Sequence, residues 1–122
     1  MYVRGIRGAN TVEHNDEQEI LQATTQLLNE IIAQNEVRPE DICCVYITVT
    51  HDLNATFPAR AIRSMPGWEL VPLMCGLEID VPNGLPRCIR LMVLVNTTKR
   101  QDEMVHVYLN EAKKLRPDLA KS

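Results

Sequence analysis

The chain has 122 residues, about one domain's worth where domains commonly run to roughly 100–150 residues, so an enzyme with a separate cofactor module is not expected. Apolar residues make up 45% and charged residues 24%, which argues against disorder and against a collagenous or coiled-coil filament. Thirteen Lys and Arg against sixteen Asp and Glu give a formal charge of -3, too little for a global field toward nucleic acid or an anionic membrane, so any anion site must be local.

Tyr2 to Gly8 is compatible with a strand, with Arg7 sharing one face with Val3 and Gly5 and Arg4 sharing the other with Ile6. A glycine beside each arginine leaves space for a ligand. Asn15 to Gln34 is the clearest helix: Asn15 or Asp16 can cap it, Asp16 and Glu19 have capping-box spacing, and acids crowd the first turn. Ile20, Leu21, Ala23, Leu27, Leu28, Ile31 and Ile32 recur at three- and four-residue intervals, the stripe of a helix that covers a sheet face.

Arg38-Pro39-Glu40-Asp41 is a turn or cap, and Ile42 to Thr50 is an almost continuous β-prone run, predicting a central strand covered on both faces. A polar loop, His51 to Thr56, leads into a short helix over 57–65, where Pro58 suits the first turn and Pro66-Gly67 the stop. Arg60 and Arg63 are neighbours on that helix, either a paired positive edge or two solvated arginines. Trp68 to Cys75 is a second β-prone stretch, Cys75 to Asn83 a loop bearing Glu78 and Asp80, and Asn83-Gly84 a turn.

Cys88 to Val95 is apolar on both alternating faces except at Arg90, which makes Arg90 the most informative single residue. A buried guanidinium without partners costs several kcal/mol, so Arg90 must meet acceptors. Those are either Glu78 or Asp80 in a structural ion pair, or an anionic or electron-rich ligand. Gln101 to Leu115 places Val105, Tyr108, Leu109, Ala112 and Leu115 at helical spacing, predicting a last helix that Arg116-Pro117-Asp118 ends.

Nine of the thirteen basic residues are arginine, whose planar fork suits carboxylates and phosphates. Cys43, Cys44, Cys75 and Cys88 form no CxxC pair, and reduced thiols in a cytoplasmic protein are the simpler expectation. The opening residues lack a long apolar stretch, and no run approaches the ~18 apolar residues of a membrane span, so neither secretion nor membrane insertion is expected. No dinucleotide, P-loop or nucleophile-elbow motif occurs, and His14, His51 and His106 are widely separated, giving a metal site little support. Cys75 is either a nucleophile or, more simply, a small partly buried residue.

Several segments together resemble one family, the AroH-class chorismate mutases of the Bacillus and Thermus type. They are VRGIRGA (Val3 to Ala9) with TVE (Thr11 to Glu13), DL…FPA (Asp52 to Ala59), GWELVP (Gly67 to Pro72), Cys75…Glu78, CIR (Cys88 to Arg90), QD…HVYL (Gln101 to Leu109) and LRPDL (Leu115 to Leu119). The ordered set spans nearly the whole chain as a single domain, 1–122.

The resemblance implies an α/β fold with a mixed sheet and helices packed on it, assembled as a homotrimer with a barrel-like core and active sites at the subunit interfaces. It implies rearrangement of chorismate to prephenate in aromatic amino-acid biosynthesis, a [3,3] shift that needs no metal, cofactor or nucleophile. By the same resemblance Arg90 is the donor to the ether oxygen, Arg7 and Tyr108 bind the enolpyruvyl carboxylate, and Glu78 accepts from the substrate hydroxyl with Cys75 close by. Phe57 and Arg63 come from a neighbouring subunit, Ala59, Arg60, Leu73 and Met74 line the pocket, and Leu115 and Arg116 belong to a flexible cover, 116–122. Arg60 stands where Bacillus-type members carry Lys, and Leu73-Met74 where they carry Val-Thr. Two other readings stay open: a non-catalytic trimeric module that binds an anionic metabolite, and an imine deaminase of the RidA type.

Overall fold

A computed structural model of the chain describes residues 1–115. Seven regular elements follow in chain order: strand β1 (Tyr2–Thr11), helix α1 (Glu17–Asn35), strand β2 (Ile42–Val49), helix α2 (Ala59–Arg63), and strands β3 (Leu73–Leu77), β4 (Cys88–Thr97) and β5 (Val107–Tyr108). Single 3-10 turns occupy Pro39–Asp41, Gln101–Glu103 and Asn110–Lys114. Among the described residues no helix is long and apolar enough to cross a membrane.

The strands form one five-stranded sheet in the order β3-β2-β4-β1-β5. β4 pairs antiparallel with both β1 and β2, whereas β3 runs parallel to β2 and β5 parallel to β1, so the sheet is mixed. The centre is therefore β4, and β2 lies one place out. β2 is also irregular at its start, where a bulge between Ile42 and Cys44 resets the register against β4.

Helix α1 forms for the expected reasons. Asp16 caps it by accepting from Glu19 N at 3.0 Å, and Ile20, Ala23, Leu27, Leu28 and Ile31 are buried on its sheet-facing side. The Glu19 carboxylate reaches back to His14 N rather than to Asp16 N, so the reciprocal half of the capping box is displaced by two residues. Gly8 lets the helix approach β1: a Cβ there would sit 2.7 Å from Ile31 Cδ1 and 3.1 Å from Leu27 Cδ1. Ile6, Val45, Ile47, Ile89, Leu91, Val93 and Val95 complete this core from the sheet.

The described residues of one chain leave the opposite face of the sheet largely uncovered, so the cover expected on both faces of Ile42–Thr50 is not supplied by them. In β4, Ile89, Leu91, Val93 and Val95 are buried under the helices, while Arg90, Met92 and Leu94 are only half-buried on the other face. Tyr46 at 47%, Val3 at 54% and Met74 at 65% exposure continue that open surface. Among the described residues one end is sealed, by a second small core of Ala9, Cys88, Tyr108 and Ala112 with Leu85 and Leu115 against it.

Two other expectations are corrected. The β-prone stretch from Trp68 becomes a strand only at Leu73, because Trp68 is buried in the core and Trp68 N and Val71 N close turns onto Met65 O and Trp68 O. That strand then runs past Cys75 to Leu77, so Gly76 and Leu77 are in the sheet rather than in a loop. The helix predicted over 101–115 does not form. Asn35 exchanges hydrogen bonds with the backbone of Val105 at 2.7 and 2.9 Å, and Val107–Tyr108 joins the edge of β1, leaving only 3-10 turns on either side. Tertiary partners override the helical spacing there.

Candidate active site

Residues paired across neighbouring strands share a face, so the ladder shows which side chains meet. Gly76 pairs with Thr48, Thr48 with Arg90, Arg90 with Ala9, and Ala9 with Tyr108, a single row crossing all the strands on the open face. Arg7 lies in the next row, opposite Met92. Arg7 and Arg90 are therefore diagonal neighbours, roughly 7–8 Å apart by sheet geometry. Two guanidiniums on one face repel unless an anion lies between them.

Glu78 follows β3, its N still donating to Val49 O at 2.9 Å. Its carboxylate accepts from Thr48 Oγ1 and lies 3.5 Å from Arg90 Nε. That separation makes an ion pair, but Nε has no hydrogen bond among the described residues. Asp80, the other expected partner of Arg90, pairs instead with His51 at 3.3 Å. Tyr108 Oη is likewise buried without a hydrogen-bond partner among the described residues. Beside Arg90 and Glu78 opens a cleft of about 350 Å³, walled by Thr50, His51, Asp52 and the loop 79–86.

A polar clasp holds the start of β4. Thr50 Oγ1 accepts from Cys88 N and donates to Asp52 Oδ1, while both Asp52 oxygens accept from Arg87 N at 3.2 and 3.0 Å. Burial opposes ionisation of Asp52, but the bonds from Thr50 and Arg87 outweigh it and hold the carboxyl below its ordinary value. Burial pushes the Cys88 thiol up to about 11 despite the Arg90 charge nearby.

The structure thus brings Arg7, Glu78, Arg90 and Tyr108 to one end of the open face. Leu115 packs at its margin, and Met74 stands one row away. Leu73 turns into the main core, and Cys75 shares the helix-covered face of its partner Ile47, so its thiol lies on the face opposite Arg90. The remaining expected residues are not brought to this site within one chain. Phe57 is 69% exposed, Ala59 is buried in the core at 3%, and Arg63 is exposed on α2. Arg60 is held by Glu17 Oε1 at 2.5 Å and Thr56 Oγ1 at 2.7 Å, so it forms no paired edge with Arg63. Arg116 and the expected cover over 116–122 lie outside the described residues. Arg4 is also excluded, its Nε donating to Lys99 O and its guanidinium stacked on Tyr2. Sequence reasoning missed Thr48, which reads as one more β-former in Ile42–Thr50, and Thr50 with Asp52, whose role depends on Arg87 across the sheet.

A mixed sheet with helices on one face, two arginines and a tyrosine on the other, and a cleft walled in part by Glu78 and Arg90 defines an α/β protein with a candidate polar site. Comparison with known proteins narrows that class. The family model described as chorismate mutase type I matches residues 3–119. Chorismate mutase AroH of Bacillus subtilis (strain 168) is 51% identical over 120 residues, covering 98% of this chain and 94% of its own. Chorismate mutase AroH of Thermus thermophilus is 48% identical over 118 residues, 96% of each chain. A solved chorismate mutase from Clostridium thermocellum superposes with a TM-score of 0.88 at 49% identity, covering 90% of this chain and 97% of that one. The chain belongs to the chorismate mutase type I family.

Proposed function

We propose that this chain rearranges chorismate to prephenate at the Arg7, Glu78, Arg90 and Tyr108 cluster, with Arg90 as the group that accelerates the reaction. The reaction breaks one ether C–O bond and forms one C–C bond within a single molecule, with no proton or electron delivered from outside. The protein's task is to hold a chair-like conformer and to stabilise negative charge on the departing oxygen.

The observation that carries this reading is the pair of buried polar atoms, Arg90 Nε and Tyr108 Oη, without hydrogen-bond partners among the described residues. Each such atom costs about 1–3 kcal/mol if left unmade, so the site is built for acceptors that a ligand supplies. A dicarboxylate ether supplies them. Its carboxylate lies between Arg7 and Tyr108, its ether oxygen faces Arg90, and its hydroxyl donates to Glu78. Because charge grows on the ether oxygen only as the bond breaks, the Arg90 contact strengthens in the transition state, and comparable donors are worth ~2.7–4 kcal/mol.

The uncovered sheet face supports assembly as a homotrimer. Val3, Tyr46, Met74, Met92 and Leu94 form an apolar surface that a single copy leaves exposed or half-exposed. In that assembly Phe57 and Arg63 of one subunit close the site of another, Phe57 as an apolar wall and Arg63 toward the second carboxylate. The four free cysteines fit a reducing, cytoplasmic setting.

The test is direct. Purified protein is mixed with chorismate, loss of diene absorbance is followed, and prephenate is identified by acid conversion to phenylpyruvate. Saturable turnover is expected. Bound chorismate without turnover would replace the enzyme reading with that of an anion-binding module.

A further inference from the structure

Strand β1 is paired along its whole length by β4 on one side, but on the other, among the described residues, it has only the two residues of β5. The outward-facing backbone groups of Gly5 and Arg7 therefore lie along an edge with no strand beside them. Side chains occupy that place. Gly5 N donates to Gln101 Oε1 at 3.0 Å, and Gln101 Nε2 donates back to Gly5 O at 2.6 Å. Two residues on, Arg7 N donates to His106 Nδ1 at 2.9 Å. Beyond that point the backbone takes over: Val107 and Tyr108 pair with Gly8 and Ala9, and Leu109 N donates to Ala9 O at 2.9 Å. The ladder that β5 begins is continued along β1 by an amide and an imidazole.

The reason lies in the preceding residue. Val105 gives both its backbone groups to Asn35 at the end of α1, so the chain cannot run alongside β1 there. The His106 side chain bridges the gap. An amide N–H can only donate, so His106 Nδ1 must accept, which it can do only with its proton elsewhere.

We propose that His106, supported by Gln101, is a positioning residue for Arg7, standing in for a strand carbonyl to fix the backbone from which the Arg7 guanidinium leaves the sheet. Backbone placement matters at Arg7 because its neighbours along the same face are Gly5 and Ala9, which have no side chain long enough to brace it. Arg7 and Arg90 are also like charges on one face, so their separation depends on where the Arg7 backbone is held. This inference rests on the reading of Arg7 as a carboxylate ligand.

The experiment compares His106→Leu, His106→Asn, Arg7→Ala and the Arg7→Ala/His106→Leu double variant in steady-state kinetics with chorismate, with circular dichroism melts alongside. Loss of one hydrogen bond of this kind corresponds to a KM increase of about 3- to 10-fold in His106→Leu, with kcat changed by less than about twofold. His106→Asn, whose Oδ1 falls near the place of Nδ1, recovers most of the loss. In the Arg7→Ala background His106→Leu adds nothing, because its effect passes through Arg7. An unchanged KM in His106→Leu, an Asn variant as poor as Leu, or a penalty that persists without Arg7 overturns the inference. An unchanged KM in Arg7→Ala refutes instead the ligand role of Arg7 itself. Should His106→Leu not fold, Gln101→Ala removes the adjoining pair of bonds from an exposed side chain, and an unchanged KM there also overturns the inference.

Discussion

Replacing Asp52 by Asn or Ala tests whether the clasp at the start of β4, two residues before Arg90, stabilises the fold. Asp52 accepts from Arg87 N with both oxygens and from Thr50 Oγ1 at 2.5 Å, and Thr50 in turn accepts from Cys88 N. Arg87 adopts a left-handed conformation, φ 48°, which costs about 1–3 kcal/mol for a non-glycine residue and needs such a partner. Hydrogen bonds to a charged group contribute about 1.5–3 kcal/mol, reduced here because the site is half-open to water. Asp52→Ala is therefore expected to cost about 1–2 kcal/mol at pH 7. Asp52→Asn keeps one acceptor and is expected to cost about half as much. The assay is urea unfolding of wild type and both variants from pH 7 down to pH 3.

The sign follows from the carboxyl lying below its ordinary 3.8 in the folded chain. Its stabilisation is present above the unfolded value and is lost as pH falls through the lower folded value. The gap between wild type and Asp52→Asn should narrow below about pH 4. A gap that stays constant to pH 3, or no gap at pH 7, would refute the role given to Asp52.

Other consequences are equally open to measurement. Gly8→Val forces methyls into Leu27 and Ile31 and should destabilise by about 1–3 kcal/mol in urea unfolding; an unchanged midpoint would show that α1 does not rest on β1 at that point. With its thiol pushed up to about 11, Cys88 should resist iodoacetamide at pH 8 while exposed Cys75 reacts, a difference read by mass spectrometry of the labelled peptides. If the proposed trimer forms through the open sheet face, Met74→Glu puts a charge there and should reduce the mass found by light scattering to that of one chain; a mass unaltered from a wild-type trimer would move the interface elsewhere.

How much of this was legible in the sequence depended on how local each decision was. Helix α1 is a local matter, an Asp16 cap and an apolar stripe, and its ends match to within two residues. Residues 105–115 carry the same helical spacing, yet their structure is decided by Asn35 and the β1 edge, far away in sequence. Arg90 stood out because one charge in an apolar strand is anomalous wherever the strand packs. That Glu78 rather than Asp80 reaches it depends on the Thr48 hydroxyl and the exit of β3, which no spacing encodes. Both faces of β2 read as covered because composition registers apolar character without saying whether a helix or another molecule lies on it. Phe57 and Arg63 entered through the family resemblance, and the geometry of one chain holds no contact of theirs with the cleft.

In the proposed mechanism Arg90 lowers the barrier by donating to the ether oxygen as its charge develops. The most direct measurement is kcat for chorismate in Arg90→Lys, with fold and assembly matched to wild type by circular dichroism and light scattering. Lysine keeps the charge but loses the planar fork, so kcat should fall about 100- to 1,000-fold, the worth of a preorganised transition-state donor. A kcat within about twofold of wild type would contradict the account.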